Sequence, residues 1–191
     1  MIIVKIGGSL YASSYLKQWC DRLASTHQQP IVIVPGGGPF ADQVREVDHK
    51  WELSDTLAHE MAVMGMQQYG CLLTHINQEL KVIETINSIS DIGAMVWLPY
   101  NDVVAECDYP KNWQTTSDSL ALWLACKISA NHLCLIKSAE IDDKSTDELI
   151  NSNLVDDYFP IAIKNYSGKT HFYHASQSNN FSQDIKNGKF D

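Results

Sequence analysis

The sequence predicts an α/β fold in which a mainly parallel sheet is covered by helices on both faces. Three observations lead there. The apolar runs IIVKI, IVIVP and HLCLI are short, continuous and rich in β-branched residues, as strands buried on both faces are. Segments with helical periodicity separate these runs, the order that builds parallel sheets. Glycine clusters follow the first two runs directly, at KIGGS and PGGGP.

Taken in order, residues 2–6 read as a buried strand, and residues 13–26 as a helix with Leu16, Trp19, Cys20 and Leu23 on one face. Pro30 precedes a second strand, 31–34, and a helix is expected over 40–48. Ser54 is placed to cap a longer helix carrying Leu57, Ala58, Met61, Ala62, Met64 and Tyr69. Residues 80–89 give no clear period. Residues 95–98 read as a strand stopped by Pro99, residues 118–128 as a helix, and residues 132–136 as a strand. Residues 161–163 and 170–173 are expected as two further strands. The expected organisation is one domain over residues 1–175, followed by a polar surface tail, 176–191.

The chain has 191 residues, 45% hydrophobic and 19% charged, with a formal charge of −9. That is enough apolar material for a full core. The negative balance argues against nucleic acid and anionic lipid, which are bound through clustered Lys and Arg. No apolar run reaches the roughly 18 residues of a membrane span. The opening MIIVKIGGSL lacks the pattern of a secretory leader. Five scattered cysteines without C-x-x-C fit a reduced, cytoplasmic protein. The seven histidines show no metal-ligand spacing, so no protein-held metal is expected.

In parallel α/β sheets, ligands bind beyond the carboxyl ends of the strands. There stand Gly7, Gly8 and Ser9 after the first strand and Gly36, Gly37 and Gly38 after the second. Glycines allow backbone N–H groups to approach an anion closely. Either cluster alone is equally a tight strand-to-helix turn, and neither matches a P-loop or a dinucleotide fingerprint. Lys5 and Lys137 each end or nearly end an apolar strand. Such lysines either snorkel to water or pair with an anion. On parallel strands both would reach the edge that holds the glycine loops. Asp118, at the start of its helix, is the candidate carboxylate to hold them, or else an ordinary helix-dipole partner.

VKIGGSL, VPGGGPFAD, TSDSLALWLA and LIKSAEID, in this order, resemble the amino acid kinase superfamily. LSDTLAHEMAVMGMQQYG, WLPYND and PKNWQTTSDSLALWLA are similar to a short clade within it, the aminomethylfuran phosphate kinases of methanofuran biosynthesis. The resemblance spans roughly residues 1–142. It implies a three-layer αβα sandwich, with ATP as phosphoryl donor and Mg²⁺ held largely by the ATP. The implied acceptor is a small phosphorylated substrate, [5-(aminomethyl)furan-3-yl]methyl phosphate, and a homo-oligomer is usual for such a fold. It further implies that Lys5 binds the transferring phosphoryl group and that Asp118 organises the lysines. Gly7, Gly8 and Ser9 would line the donor side, and Gly36, Gly37 and Gly38 the acceptor side. The superfamily's late G-G-M-x-x-K segment is missing, so Lys137 or Lys164 would supply the second lysine. The chain is short for the superfamily, and the shortfall would lie in the nucleotide half. For the acceptor, Trp51, Trp97 or Trp113 would stack on the ring, and Asp55 or Glu60 would meet the amine. Trp113 stands out because it lies in a polar loop. Two other readings stay open: a different acceptor (a nucleoside monophosphate, isopentenyl phosphate or an amino-acid carboxylate), or nucleotide or oxyanion binding without turnover.

Overall fold

The structure is a computed structural model that describes residues 1–27, 29–141 and 145–190. Asp142, the last residue of the LIKSAEID motif, and Asp191 lie outside the described residues. Among the described residues six strands, β1 (Ile2–Ile6), β2 (Ile31–Pro35), β3 (Lys81–Ile83), β4 (Ala94–Trp97), β5 (His132–Lys137) and β6 (Lys169–His174), form one sheet in the order β3-β4-β2-β1-β5-β6. Every pairing is parallel. The three apolar runs are the three central strands, and each is buried along its whole length.

Among the described residues eight α-helices complete the layers: α1 (Tyr15–Ala24), α2 (Gly38–Trp51), α3 (Asp55–Ile76), α4 (Tyr100–Glu106), α5 (Ser117–Lys127), α6 (Thr146–Ile150), α7 (Phe159–Ala162) and α8 (Ser178–Lys186). Strand side chains alternate between the faces. Ile2, Val4 and Ile6 therefore meet Trp19 and Leu23 of α1 and Phe181 of α8 on one side. Ile3, Leu133 and Leu135 meet Leu120, Leu124 and Phe159 on the other. Ser54 caps α3 as expected, its hydroxyl accepting from the Leu57 amide at 3.4 Å.

Two expectations are corrected. Residues 161–163 are helical rather than extended: Pro160 sits in the first turn of α7, where its fixed φ suits a helix and its missing N–H costs nothing. The segment expected as a polar tail forms α8 and carries Phe181 and Phe190 into the core, at 0% and 5% exposure. Phe181 packs on Trp19 and Tyr173 at ring-centroid distances of 5.5 Å each.

Candidate active site

Parallel register decides what the first and fifth strands deliver. Lys5 lies opposite Leu135, and Lys137 is two residues further along β5, on the same face. That face is the one α5 covers. Asp118 is the second residue of α5, so its carboxylate meets both ammonium groups. Lys137 Nζ donates to Asp118 Oδ2 at 2.6 Å. Lys5 Nζ lies 2.9 Å from Oδ1, an ion pair without hydrogen-bond alignment. All three are buried: Lys5 is 5% exposed, Asp118 4% and Lys137 9%.

Two cations around one buried carboxylate leave an excess positive charge that an incoming anion can satisfy. Burial alone would raise the Asp118 carboxyl, but Lys5 and Lys137 hold it down at about 2. Burial and the Lys5 charge lower Lys137 to about 8, against the pull of Asp118 and Asp156. If the bracket works as a pair of cations, kcat falls as the pH rises above about 8. Over the interval up to the ordinary lysine range the unfolded chain binds the extra proton, so stability rises while activity falls. A pH–rate profile beside pH-dependent melting checks this opposition; an activity flat to pH 10 would remove Lys137 from the chemistry.

The glycine loops meet directly above this bracket. The Gly36 amide donates to the Ile6 carbonyl at 2.8 Å, and a Cβ on Gly36 would collide with the Gly8 amide. A Cβ on Gly8 would strike the Gly38 amide in turn. The loops interlock only because neither carries a side chain. Gly7 and Gly8 lead into a 3-10 turn, Gly8–Ala12, before α1 begins at Tyr15. Ser9 Oγ lies 2.7 Å from Ser138 Oγ, tying the first loop to the residue after Lys137.

Beside Gly37 and Gly38 opens a cavity of about 130 Å³, walled by α2, α3, the 113–116 loop and the start of α5. Asp42, Arg45, His59, Trp113, Thr115 and Ser117 supply its polar lining, and Val63, Met66 and Leu120 its apolar floor. The Arg45 guanidinium sits 4.0 Å over the Trp113 ring, a cation–π contact. Trp113 Nε1 donates to Asp48 Oδ2 at 2.7 Å. His59 is buried, and that burial lowers its pKa, with Lys111 acting in the same direction. Hydrogen bonding to the Asn112 and Thr115 backbone pulls the other way, so the ring at the cavity wall is already engaged by the loop before α5.

The structure thus brings together Lys5, Asp118 and Lys137, joins Gly8 to Gly36, Gly37 and Gly38, and sets Trp113 in the adjoining cavity. It does not bring Asp55 there: that residue is exposed in the first turn of α3 and absent from the cavity wall. Glu60 lies 3.9 Å from Lys111. Trp51 is 67% exposed. Trp97 is fully buried and donates to Asp102 at 2.7 Å, so it has no face to offer a ring. Lys164 is exposed in the 3-10 turn leading to Tyr166, whose hydroxyl binds Ala130 at the far end of β5. Asp42, Arg45 and His59 were not singled out by sequence; on α2 and α3 they read as ordinary charged and polar helix positions.

The amino acid kinase family profile matches residues 1–152. The chain belongs to the amino acid kinase family. It is 30% identical over 182 residues to the [5-(aminomethyl)furan-3-yl]methyl phosphate kinase of Methanocaldococcus jannaschii, covering 87% of this chain and 84% of that one. Among solved structures, uridylate kinase from Archaeoglobus fulgidus superposes with a TM-score of 0.70 at 15% identity, over 97% and 95% of the two chains. An isopentenyl phosphate kinase superposes at 0.58 and 13% identity, over 97% and 96%. These likenesses place the three-layer αβα architecture in that family. Within that architecture Lys5 and Lys137 stand at the carboxyl ends of adjacent strands with the Asp118 carboxylate between them.

Proposed function

We propose that this protein, a phosphotransferase of the amino acid kinase family, moves the γ-phosphoryl group of ATP onto the phosphate of [5-(aminomethyl)furan-3-yl]methyl phosphate. The observation that carries the reading is the buried Lys5–Asp118–Lys137 bracket next to a cavity lined by Arg45 and His59. The relative of known acceptor supplies the substrate.

The chemistry asks little covalent work of the protein. An acceptor phosphate is already anionic, so its oxygen attacks the γ-phosphorus without a general base, forming a new P–O–P bond as the bond to ADP breaks. Arg45, held flat by Trp113, would fix that phosphate. Lys5 and Lys137 neutralise charge on the transferring group, and the glycine amides align it for in-line attack. Asp42 is the cavity's carboxylate for the acceptor's ammonium. Among the described residues no group of three His, Cys, Asp or Glu can hold a metal, and Asp118 is already engaged by both lysines. Magnesium would be carried on the ATP phosphates and add charge neutralisation there.

The reading includes a homo-oligomer acting in the cytoplasm, with no membrane or nucleic-acid partner. Leu57 and Met64 are exposed on α3 at a helical spacing, with Val47 and Trp51 exposed on α2, an apolar surface suited to a second copy. No helix of the described residues is long and apolar enough to cross a membrane.

ADP release with a panel of acceptors tests the function. Turnover is expected with the furan phosphate and not with its unphosphorylated alcohol; equal rates would sink the phosphate-acceptor reading, and preference for UMP or isopentenyl phosphate would redirect it. Arg45→Ala should raise the acceptor KM roughly ten- to a hundredfold, the loss of one charge-assisted contact of about 1.5–3 kcal/mol, with the ATP KM little changed. Initial rates over both substrates separate the two effects.

A further inference from the structure

Asp156 lies outside every motif that the sequence singled out, in the crossover that carries the chain from β5 to β6. Its carboxylate is crowded with donors. Oδ2 accepts from the Thr116 amide and the Thr116 hydroxyl, each at 2.9 Å, and from the Ser119 amide at 3.0 Å. Oδ1 accepts from the Ser119 hydroxyl and from the Phe159 amide, the latter at 3.1 Å. Thr116, the residue that opens α5, makes no side-chain cap of its own. An N-terminal helix turn needs acceptors for its free N–H groups, and here they come from a residue 37 positions away in sequence from Ser119. The Tyr158 amide adds a second fastening, donating to the Gln114 carbonyl at 3.0 Å.

What this fastening holds is the chemistry. Thr116 and Ser117 line the acceptor cavity, and Asp118 grips Lys5 and Lys137. We propose that Asp156 is a positioning residue for phosphoryl transfer: it caps α5 from the β5–β6 crossover, fixing the acceptor wall and the Asp118 bracket as one unit. The inference rests on the kinase reading of the site. A second link is electrostatic. Among the described residues the charged groups acting on Lys137 are Lys5 from β1, Asp118 from α5 and Asp156 from the crossover, and Asp156 helps keep the ammonium protonated. Removing its charge therefore moves the alkaline limb of activity to lower pH.

The test is Asp156→Asn, which keeps the shape and loses the charge and most of the acceptor capacity. Expected are a fall in kcat of about 10–10²-fold, the scale of a small misplacement of reacting groups, and an alkaline limb shifted to lower pH. A lowered melting temperature with kcat and the limb unmoved would overturn the proposal, since that is what a structural contact alone gives. If the variant does not fold, Ser119→Ala removes one donor and keeps the charge. Lowered kcat with the limb in place supports the proposal, and wild-type kcat overturns it. Lysine ¹³C NMR reads the Lys137 titration without turnover. A titration shifted in Asp156→Asn while the wild type turns over no acceptor counts against the kinase reading and leaves the Asp156–Lys137 link supported. Wild-type turnover with neither kcat nor titration altered by the variant counts against Asp156 alone.

Discussion

Lys5→Ala is expected to lower kcat by roughly 10²–10³, the loss of one preorganised donor aimed at developing charge. Lys5 is 5% exposed, so water cannot take the ammonium's place cheaply. In the proposed reaction its contact with the transferring group would strengthen as charge moves toward the leaving oxygen, so the loss should appear in kcat rather than in the KM of either substrate. The fold should survive, because Asp118 keeps Lys137 at 2.6 Å as partner. Steady-state kinetics with circular dichroism decide the matter. Unchanged turnover in a folded Lys5→Ala protein would remove this lysine from the reaction.

Asp118→Ala is expected to damage both stability and catalysis. It leaves two buried ammonium groups without their shared carboxylate, and breaking a buried ion pair from one side costs about 3–5 kcal/mol. In a chain of this length each kcal/mol is worth about 2–4 °C, so a melting temperature lower by roughly 6–20 °C follows. Mutual repulsion would also push one ammonium to shed its proton or turn away, and kcat should drop at least as far as for Lys5→Ala. The contribution of Asp118 also has a pH signature. Its carboxyl is held at about 2 in the folded state, so the stabilisation is present above the ordinary carboxylate range and is lost as the pH falls toward 2. Differential scanning calorimetry of both proteins across acid pH measures it. A mutant that melts like the parent would mean that the two lysines are neutral or well hydrated.

The parts of the site that were legible in the sequence share one property: they break a strong local pattern. Lys5 and Lys137 stand in otherwise apolar strands, and the glycine loops interrupt them abruptly. Once parallel pairing is assumed, both lysines reach the same edge, and the structure bears the parallel pairing out. Arg45, Asp42 and His59 break nothing. On α2 and α3 they look like any solvated helix face, and only the packing of α2 against α3 beside the 113–116 loop turns them toward a common space. Asp156 was hidden for a related reason, since a carboxylate in a polar stretch gives no sign that it will cap a helix 37 residues earlier.

The fold divides along the same line. The central strands were readable because burial on both faces makes them continuously apolar. The edge strand β3 was not: Lys81 and Val82 are exposed and only Ile83 is buried. Residues 161–163 misled because three apolar residues fit a buried strand or a buried helix equally well, and Pro160 tips the balance only when read as a first-turn residue. In α8 a predominantly polar sequence concealed Phe181, which alone of that helix's apolar residues is fully buried. Trp113 stands out in the sequence as an aromatic in a polar loop, but the Arg45 guanidinium over its ring gives no sign there.

The most direct test of phosphate-to-phosphate transfer is ³¹P NMR of the product formed from ATP and [5-(aminomethyl)furan-3-yl]methyl phosphate. Attack by the acceptor's phosphate oxygen creates a phosphoanhydride, whose two phosphorus nuclei split each other into a pair of doublets beside the resonances of ADP. That pair is the expected result. A single uncoupled new resonance would contradict it, meaning transfer to the amine or, at the shift of orthophosphate, to water; no new resonance with ATP intact would contradict this acceptor as the substrate.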